Sequence, residues 1–497
     1  MLLDLFDGAL ADRPSALALD DLTYRQLHDA ALRVARRFDV LGVRRGDRVA
    51  IYSENRHAVV LSYLAALRVG AIAVPINVLY RRSDLAHAIG DAQPSLVVSS
   101  SGAAPFLEGI DTGGAASLDA AEVEACARND SLTQLRPRPQ RSPAPDDPAL
   151  IIYTSGTTGV SKGAMLSHRN LAAIASQLTA AWRWSGSDVL LCTLPLFHVH
   201  GLVAALTSSL VAGGRLLLRE RFDAAAVLEC LHAAGVTMFF GVPTMYVRLI
   251  ERVRAGGAAP PPLRLYVSGS AALSAQTHRD FEALFGASIL ERYGATEFGF
   301  ALGNRYGGPR VAGSVGIPLP GVRVRVAAPD GTEPVSEGDV GELLVDGPNV
   351  FCGYWRQPAA TAAAFAVDGD GTRWYRSGDL ARYDPDADVY RIVGRIKELI
   401  VTGGFNVYPR EVELAIEAFP GIRACAVIAK PDAARGELPV AFVETESPID
   451  LEALEASLRE RLASFKVPKD IRVVEELPRN ALGKIDKPAL NRRLSEI

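Results

Sequence analysis

Cysteine is scarce in this chain: Cys126, Cys192, Cys230, Cys352 and Cys425 are the only five among 497 residues. They are scattered, with no Cys-x-x-Cys and no Cys/His zinc spacing. The thiols therefore read as free, in a reducing compartment. Excess charge is also missing. The 53 Lys and Arg against 57 Asp and Glu leave a formal charge of −4, which gives no basic surface for nucleic acid or an anionic membrane. No apolar run reaches the roughly 20 residues that a bilayer crossing needs. The opening MLLDLFDGALADRP has no positive leader and carries Asp4 and Asp7, so it does not read as a secretory signal. The expectation is a cytoplasmic protein with no nucleic-acid partner and no membrane insertion.

The commonest nucleotide-binding loop is absent too. A Walker A loop needs Gly, four residues, then Gly-Lys and Ser or Thr. The stretch YTSGTTGVSKG at 153–163 fails that count, because Ser161 stands where the second glycine belongs and Gly163 follows Lys162. It still has the makings of a phosphate cradle. Gly156, Gly159 and Gly163 allow close backbone approach, Thr154, Ser155, Thr157 and Thr158 carry hydroxyls, and Lys162 adds a mobile charge.

The chain is too long for one compact core, so two or more domains are expected. Residues 23–41 have helical periodicity, with Thr23 and Gln26 spaced as a capping box. RVAIYS at 48–53 reads as a strand, 58–69 as a helix and AIAVPIN at 71–77 as another strand. The rhythm is that of an α/β fold, with sheets covered by helices. The proline-rich 136–148 reads as a surface linker, and 310–350 as β-rich with turn signals. From 396 onward a mixed α/β unit of about 100 residues is expected. The fold class expected is therefore α/β: a large N-terminal domain, 1–395, with a β-rich subdomain, and a small mobile C-terminal domain, 396–497.

Further segments follow the loop in order: LPLFHVHGL (194–202), GVPTMY (241–246), VSGSAAL (267–273), ERYGATE (291–297), RSGDLARYD (376–384), GRIKELIVTGGFNVYPREVE (394–413) and PRNALGK (478–484). Together with YTSGTTGVSKGAMLSH they resemble the adenylate-forming superfamily of acyl-CoA synthetases, luciferases and peptide-synthetase adenylation domains. The resemblance spans nearly the whole chain. It implies an ATP-dependent ligase that turns a carboxylic acid into an acyl-AMP and then an acyl-CoA thioester, with ATP, Mg²⁺ and coenzyme A as partners. Attack by a carboxylate on a triphosphate brings like charges together, so catalysis there consists largely of positioning and countercharge.

Residue by residue, the resemblance implies that Lys484 is the adenylation lysine and Lys162 a phosphate clamp. Glu297, with Thr154, would hold the metal, Thr296 would contact the α-phosphate, and Asp379 with Arg395 would hold the ribose. Ser270, Ala271, Glu291, Arg292, Tyr293, Gly294 and Ala295 would complete the nucleotide site. His198 looks like a gating side chain beside the acyl pocket. Lys397 would be the hinge of a rotating C-terminal domain, and Gly403, Gly404 and Phe405 would meet the pantetheine arm.

FHVHGL and GVPTMY resemble malonyl- and methylmalonyl-CoA synthetases more than fatty acyl ligases; His200 of the first, and Ser268 of VSGSAAL, are expected as further acyl-pocket residues. A dicarboxylate needs a buried cation for its unreacted end. Phe298, Phe300, Leu302 and Asn304 alternate with Gly299, Ala301, Gly303 and Arg305 as a strand would. Small residues on one face would leave space, with Arg305 at the far end as the cation. Arg310 is the second candidate and Arg248 the third. Ala295 stands where methionine is commoner in the family, and 298–304 is more apolar than in some malonate ligases. A medium-chain, fatty or aryl acid therefore stays open. So do a stand-alone adenylation enzyme loading a carrier protein, a luciferase-like oxidase and a nucleotide sensor. A monomer or homodimer is expected.

Overall fold

The strand Arg48–Tyr52, RVAIY, is buried at every position after Arg48. Such a continuous apolar run suits a parallel strand covered on both faces. It lies between Ile72–Pro75 and Leu96–Ser99, parallel to both. The helix His57–Val69 connects the first two and ends on Gly70 in the left-handed conformation, at φ 74°. The preceding helix, Tyr24–Val40, starts on the expected capping box: Gln26 N donates to Thr23 Oγ1 at 3.2 Å, and Thr23 N donates to Gln26 Oε1 at 2.9 Å.

The computed structural model describes residues 1–128, 143–154, 161–233, 235–328, 330–445, 447–479 and 484–495. Most of the expected 136–148 linker lies outside them. Among the described residues there are four sheets. The strands around Arg48–Tyr52 belong to a seven-stranded sheet that also holds Pro148–Thr154, Lys162–Ser167 and Gly353–Tyr354. A nine-stranded sheet contains the parallel run Val189–Cys192, Met238–Gly241, Leu265–Ser268 and Ile289–Tyr293, continued antiparallel by Leu302–Gly303. One apolar core spans both sheets, from Val49 and Leu150 in the first to Leu190 and Leu290 in the second.

A third sheet, antiparallel, covers the β-rich region and pairs Arg373–Asp384 with Val389–Arg395. The short 3₁₀ turn Ile396–Glu398 follows, and the fourth sheet begins at Ile400. That sheet has its own core, in which Val412 and Ile416 of the helix Pro409–Glu417 pack on Val427, Ala441 and Val443. No helix among the described residues is long and apolar enough to cross a membrane.

Candidate active site

The parallel strands of the nine-stranded sheet end together at Gly241, Ser268 and Tyr293. The crevice outside the carboxyl ends of such strands is where α/β folds bind ligands. Two consecutive residues of Ile289–Tyr293 face it with different jobs. Tyr293 donates its hydroxyl to Asp379 Oδ2 at 2.5 Å, bringing the third sheet to the crevice. Asp379 is buried, and its other oxygen meets Arg395 Nε at 2.8 Å, the two residues being cross-strand partners. Burial raises the Asp379 carboxyl, and the Arg395 charge opposes that rise.

Arg292, the neighbour of Tyr293, is only 5% exposed. Its guanidinium lies 4.4 Å from the Phe300 ring centroid and within 3.5 Å of Ser270 Oγ. A Cβ on Gly269 would sit 2.3 Å from its Cζ, so that glycine makes room for it. None of the described carboxylates forms an ion pair with it, and its buried Nε has no hydrogen-bond partner. Burial pulls its pKa down to about 9. Beside it, His200 Nδ1 is 3.4 Å from Ser270 Oγ, while His200 Nε2 and Ser268 Oγ are buried without partners. Ser270 holds φ at 71°, a left-handed conformation rare for serine. Phe240, edge-on to Trp184 and stacked on His200, adds an aromatic wall.

His198 and His200 sit at the entry to the π-helix His200–Thr207. Thr207 and Ser208 donate their hydroxyls five residues back, to Leu202 O at 2.8 Å and Val203 O at 3.1 Å, which suits the wider turn. A Cβ on Gly201 would lie 2.3 Å from Pro195 O, so only glycine fits. Burial lowers His198 to about 3, with a further contribution from the Lys484 charge, and holds His200 well below the ordinary histidine value. Both shifts favour the neutral ring.

Lys484 enters from the C-terminal unit. Its pKa falls to about 8 through burial and the nearby charges of Arg395 and Arg292, against the pull of Asp379. The geometry thus gathers Lys484, His198, Arg292, Asp379 and Arg395.

A second cluster borders the loop at 155–160. Thr154 and Lys162 are cross-strand partners at its two ends, while Ser155, Gly156, Thr157, Thr158 and Gly159 lie outside the described residues. Lys162 Nζ is 5.1 Å from the Tyr354 ring centroid, and Tyr354 donates its hydroxyl to Glu297 Oε1 at 3.0 Å. Glu297 is raised, chiefly by burial. Tyr354 ends a connection that the sequence reading missed. Asn349, fully buried, donates to Phe298 O at 2.7 Å and Phe300 O at 3.1 Å, and Phe351 N donates to Glu297 O at 2.7 Å. On the other side Asn170 Nδ2 donates to Pro348 O and Val350 O. Only GYW, an aromatic pair behind a glycine, marked this segment in the sequence.

Several expected residues stand elsewhere. Arg305 is a surface residue, its side chain 40% exposed and paired with Asp388. The alternation at 298–305 is not a strand: Phe298, Phe300, Ala301 and Leu302 are all fully buried, and only Leu302–Gly303 pairs. Gly299 turns the chain at φ 58°, and a Cβ there would meet Ile174 at 2.5 Å, so its small size leaves no cavity. Register then settles the direction. Leu302 opposes Tyr293 and Gly303 opposes Arg292, so the chain runs away from the crevice before it reaches Arg305. Arg310 lies at that remote end too, donating to Ser288 O. Arg248 is exposed. Glu291 points from the opposite side of its strand, accepting from Gly313 N at 3.0 Å and lying 3.7 Å from His278.

Gly294, Ala295 and Thr296 follow Tyr293, half-buried, and Ala271 is exposed. Lys397 is exposed on the turn after Arg395. Gly403 and Gly404 form an exposed turn at φ 57° and 83°, with Phe405 stacked on Phe465 at 4.6 Å, outside the cluster.

Residues 6–355 match the AMP-binding enzyme family, and residues 411–484 match the AMP-binding enzyme C-terminal domain. The chain belongs to the AMP-binding enzyme family. It is 36% identical to a feruloyl-CoA synthase of an Amycolatopsis species, over 95% of this chain and 94% of the relative. It is 35% identical to the sulfoacetate–CoA ligase of Cupriavidus necator, covering 96% of this chain and 94% of that one. Mitochondrial malonate–CoA ligase of Mus musculus is 35% identical, covering 95% and 87%. Among solved structures, ATP-bound MatB from Rhodopseudomonas palustris superposes with a TM-score of 0.90 at 38% identity, covering 100% of this chain and 99% of that one. Apo MatB, with the same identity and coverage, gives 0.81. This AMP-binding enzyme is an adenylate-forming CoA ligase that uses ATP, Mg²⁺ and coenzyme A.

Proposed function

We propose that the acid is small and carries a second anionic group, with malonate or methylmalonate as the best fit. The supporting observation is Arg292, a buried guanidinium with no carboxylate partner among the described residues. An unpaired buried charge costs several kcal/mol, which a substrate anion recovers on binding. Its planar fork suits a carboxylate. A neutral-tailed acid would leave that charge unpaired, so the same residue selects against fatty acids. The malonate ligase and MatB similarities agree with this reading. Sulfoacetate would present a sulfonate to the same group, while Trp184, Phe240 and Phe300 favour an aryl acid as the second reading.

In this proposal Lys484 neutralises the reacting carboxylate and the α-phosphate as the carboxylate oxygen attacks phosphorus and pyrophosphate leaves. Asp379 accepts from the ribose hydroxyls, and Arg395 and Tyr293 fix its two oxygens. Lys162 holds the departing phosphates. Glu297 fits Mg²⁺: among the described residues no group of three His, Cys, Asp or Glu could hold a metal, and a hard cation bound through one carboxylate and substrate phosphates needs none. When bound, the ion supplies countercharge to the phosphates. Neutral His198 borders Lys484 and the acyl pocket. Residues 1–395 supply both binding sites, and 396–497 bring Lys484.

Acid-dependent ATP–pyrophosphate exchange across malonate, methylmalonate, sulfoacetate, ferulate, benzoate and octanoate tests the assignment. Exchange restricted to the three acids with a distal anion is expected. Exchange with ferulate or octanoate and none with malonate would overturn it.

A further inference from the structure

Four charged side chains run from the helix carrying GVPTMY to the base of the Lys484 segment. Glu251, in the helix Pro243–Arg254, accepts from Arg423 Nη2 at 2.5 Å. Arg423 lies on the strand Ile422–Asp432 of the fourth sheet, so this pair crosses between the C-terminal unit and the rest of the molecule. Arg423 Nε is 3.4 Å from Glu444 Oε1, and Arg479 Nη2 is 3.3 Å from Glu444 Oε2. Glu444 is 4% exposed and also accepts from Leu477 N at 3.1 Å. The backbones of Arg479 and Ile485 pair in an isolated antiparallel β-bridge, and Asp486 N donates to Pro478 O at 2.7 Å, so the chain is tied on both sides of Lys484. One buried carboxylate therefore anchors the segment that carries Lys484 and shares its arginine with Glu251.

The need for such an anchor is electrostatic. Lys484 lies among the like charges of Arg395 and Arg292, with Asp379 the opposing attraction. Insertion is resisted, and an attraction placed away from the cluster offsets that resistance without occupying the site. The arrangement that shows the pair is also nearer to ATP-bound MatB than to apo MatB.

We propose that Glu251 and Arg423 form a latch across the two units, positioning Lys484 for acyl-adenylate formation and not for the later thioester step. This rests on the reading of Lys484 as the adenylation lysine. Both partners are about half exposed, so their direct attraction is worth about 1.4- to 5-fold in rate, screened by salt.

The test is a double-mutant cycle with Glu251→Gln and Arg423→Gln, plus Glu251→Lys. ATP–pyrophosphate exchange is followed with malonate, or with whichever acid of the panel the enzyme turns over in its place. A CoA chase onto adenylate already formed on the enzyme reads the second step. Glu251→Gln is expected to slow exchange about 3-fold in the parent and to have no effect beside Arg423→Gln. Glu251→Lys should slow it further, while the chase stays within about twofold for all variants and the Glu251→Gln effect shrinks as salt rises. Equal losses in both steps, additive losses in the cycle, or no loss in exchange overturns the latch. Lys484→Ala separates the two ideas. If it abolishes exchange while the Glu251 variants leave it intact, the latch alone fails. If exchange survives Lys484→Ala, the reading of Lys484 fails.

Discussion

Arg292 concentrates the specificity question in one side chain. Replacing it with methionine fills the space beside Phe300 and removes a buried charge that has no carboxylate partner among the described residues. Malonate kcat/KM is expected to fall about 10²- to 10³-fold with little change in the KM for ATP. The midpoint of thermal unfolding should rise, because that uncompensated charge is no longer buried. Arg305→Ala is the control, since a half-exposed pair with Asp388 should change malonate kcat/KM less than about twofold. Lys484 makes a pH prediction. Its pKa is lowered to about 8 and its protonated form is the useful one, so charge is full below that value and lost above it. The kcat/KM for adenylation should decline as pH rises through about 8, and Lys484→Arg should remove that limb, because arginine stays protonated. The sequence pointed to a buried arginine and favoured Arg305, which lies at the surface; the proposed reading gives that part to Arg292. Arg292 sits inside ERYGATE, a segment already assigned to the nucleotide, and nothing in a one-dimensional pattern tells which face of its strand it takes. The packing does: Glu291 meets Gly313 N and His278, while Arg292 lies over Phe300 beside Ser270.

Among the elements, helices and buried strands were readable because their signals are local. Thr23 and Gln26 cap a helix wherever they fall at that spacing, and RVAIY is a buried strand by composition alone. The stretch at 298–305 was not readable, because Gly299 serves close packing: a Cβ on it would meet Ile174 at 2.5 Å, and its own carbonyl oxygen would lie 2.0 Å from a Cβ on the preceding Gly294. Period-two spacing has no meaning across such a turn. The π-helix His200–Thr207 was likewise invisible, since its wider turn depends on Thr207 and Ser208 reaching back five residues. Gly201→Ala tests that element. With a backbone oxygen 2.3 Å from the new carbon, relief must come from the helix, moving His198 and His200. A cost of about 1–3 kcal/mol is expected in denaturant unfolding, with kcat falling more than the KM for ATP.

For the whole molecule, the Gly403–Phe405 turn and Lys484 belong to one C-terminal unit but stand in different settings, the first exposed and the second within the cluster. Phe405→Ala should therefore leave ATP–pyrophosphate exchange within about twofold. It should slow thioester formation in the CoA chase if the turn must reach the pantetheine. Equal slowing of both steps would assign Phe405 to folding of the C-terminal unit through its stack on Phe465.

The segment from Asn349 to Tyr354 carries the last consequence. Asn349 and Phe351 fasten it to the chain after the nine-stranded sheet, Asn170 fastens its start to the neighbouring helix, and Tyr354 pairs with the seven-stranded sheet while touching Glu297. That segment therefore ties the two great sheets together at Tyr354, beside both Glu297 and Lys162, and a triphosphate held by those two residues would add a second tie. ATP would then be mortar as well as fuel. Each turnover would loosen the masonry when pyrophosphate departs and set it again when the next nucleotide arrives.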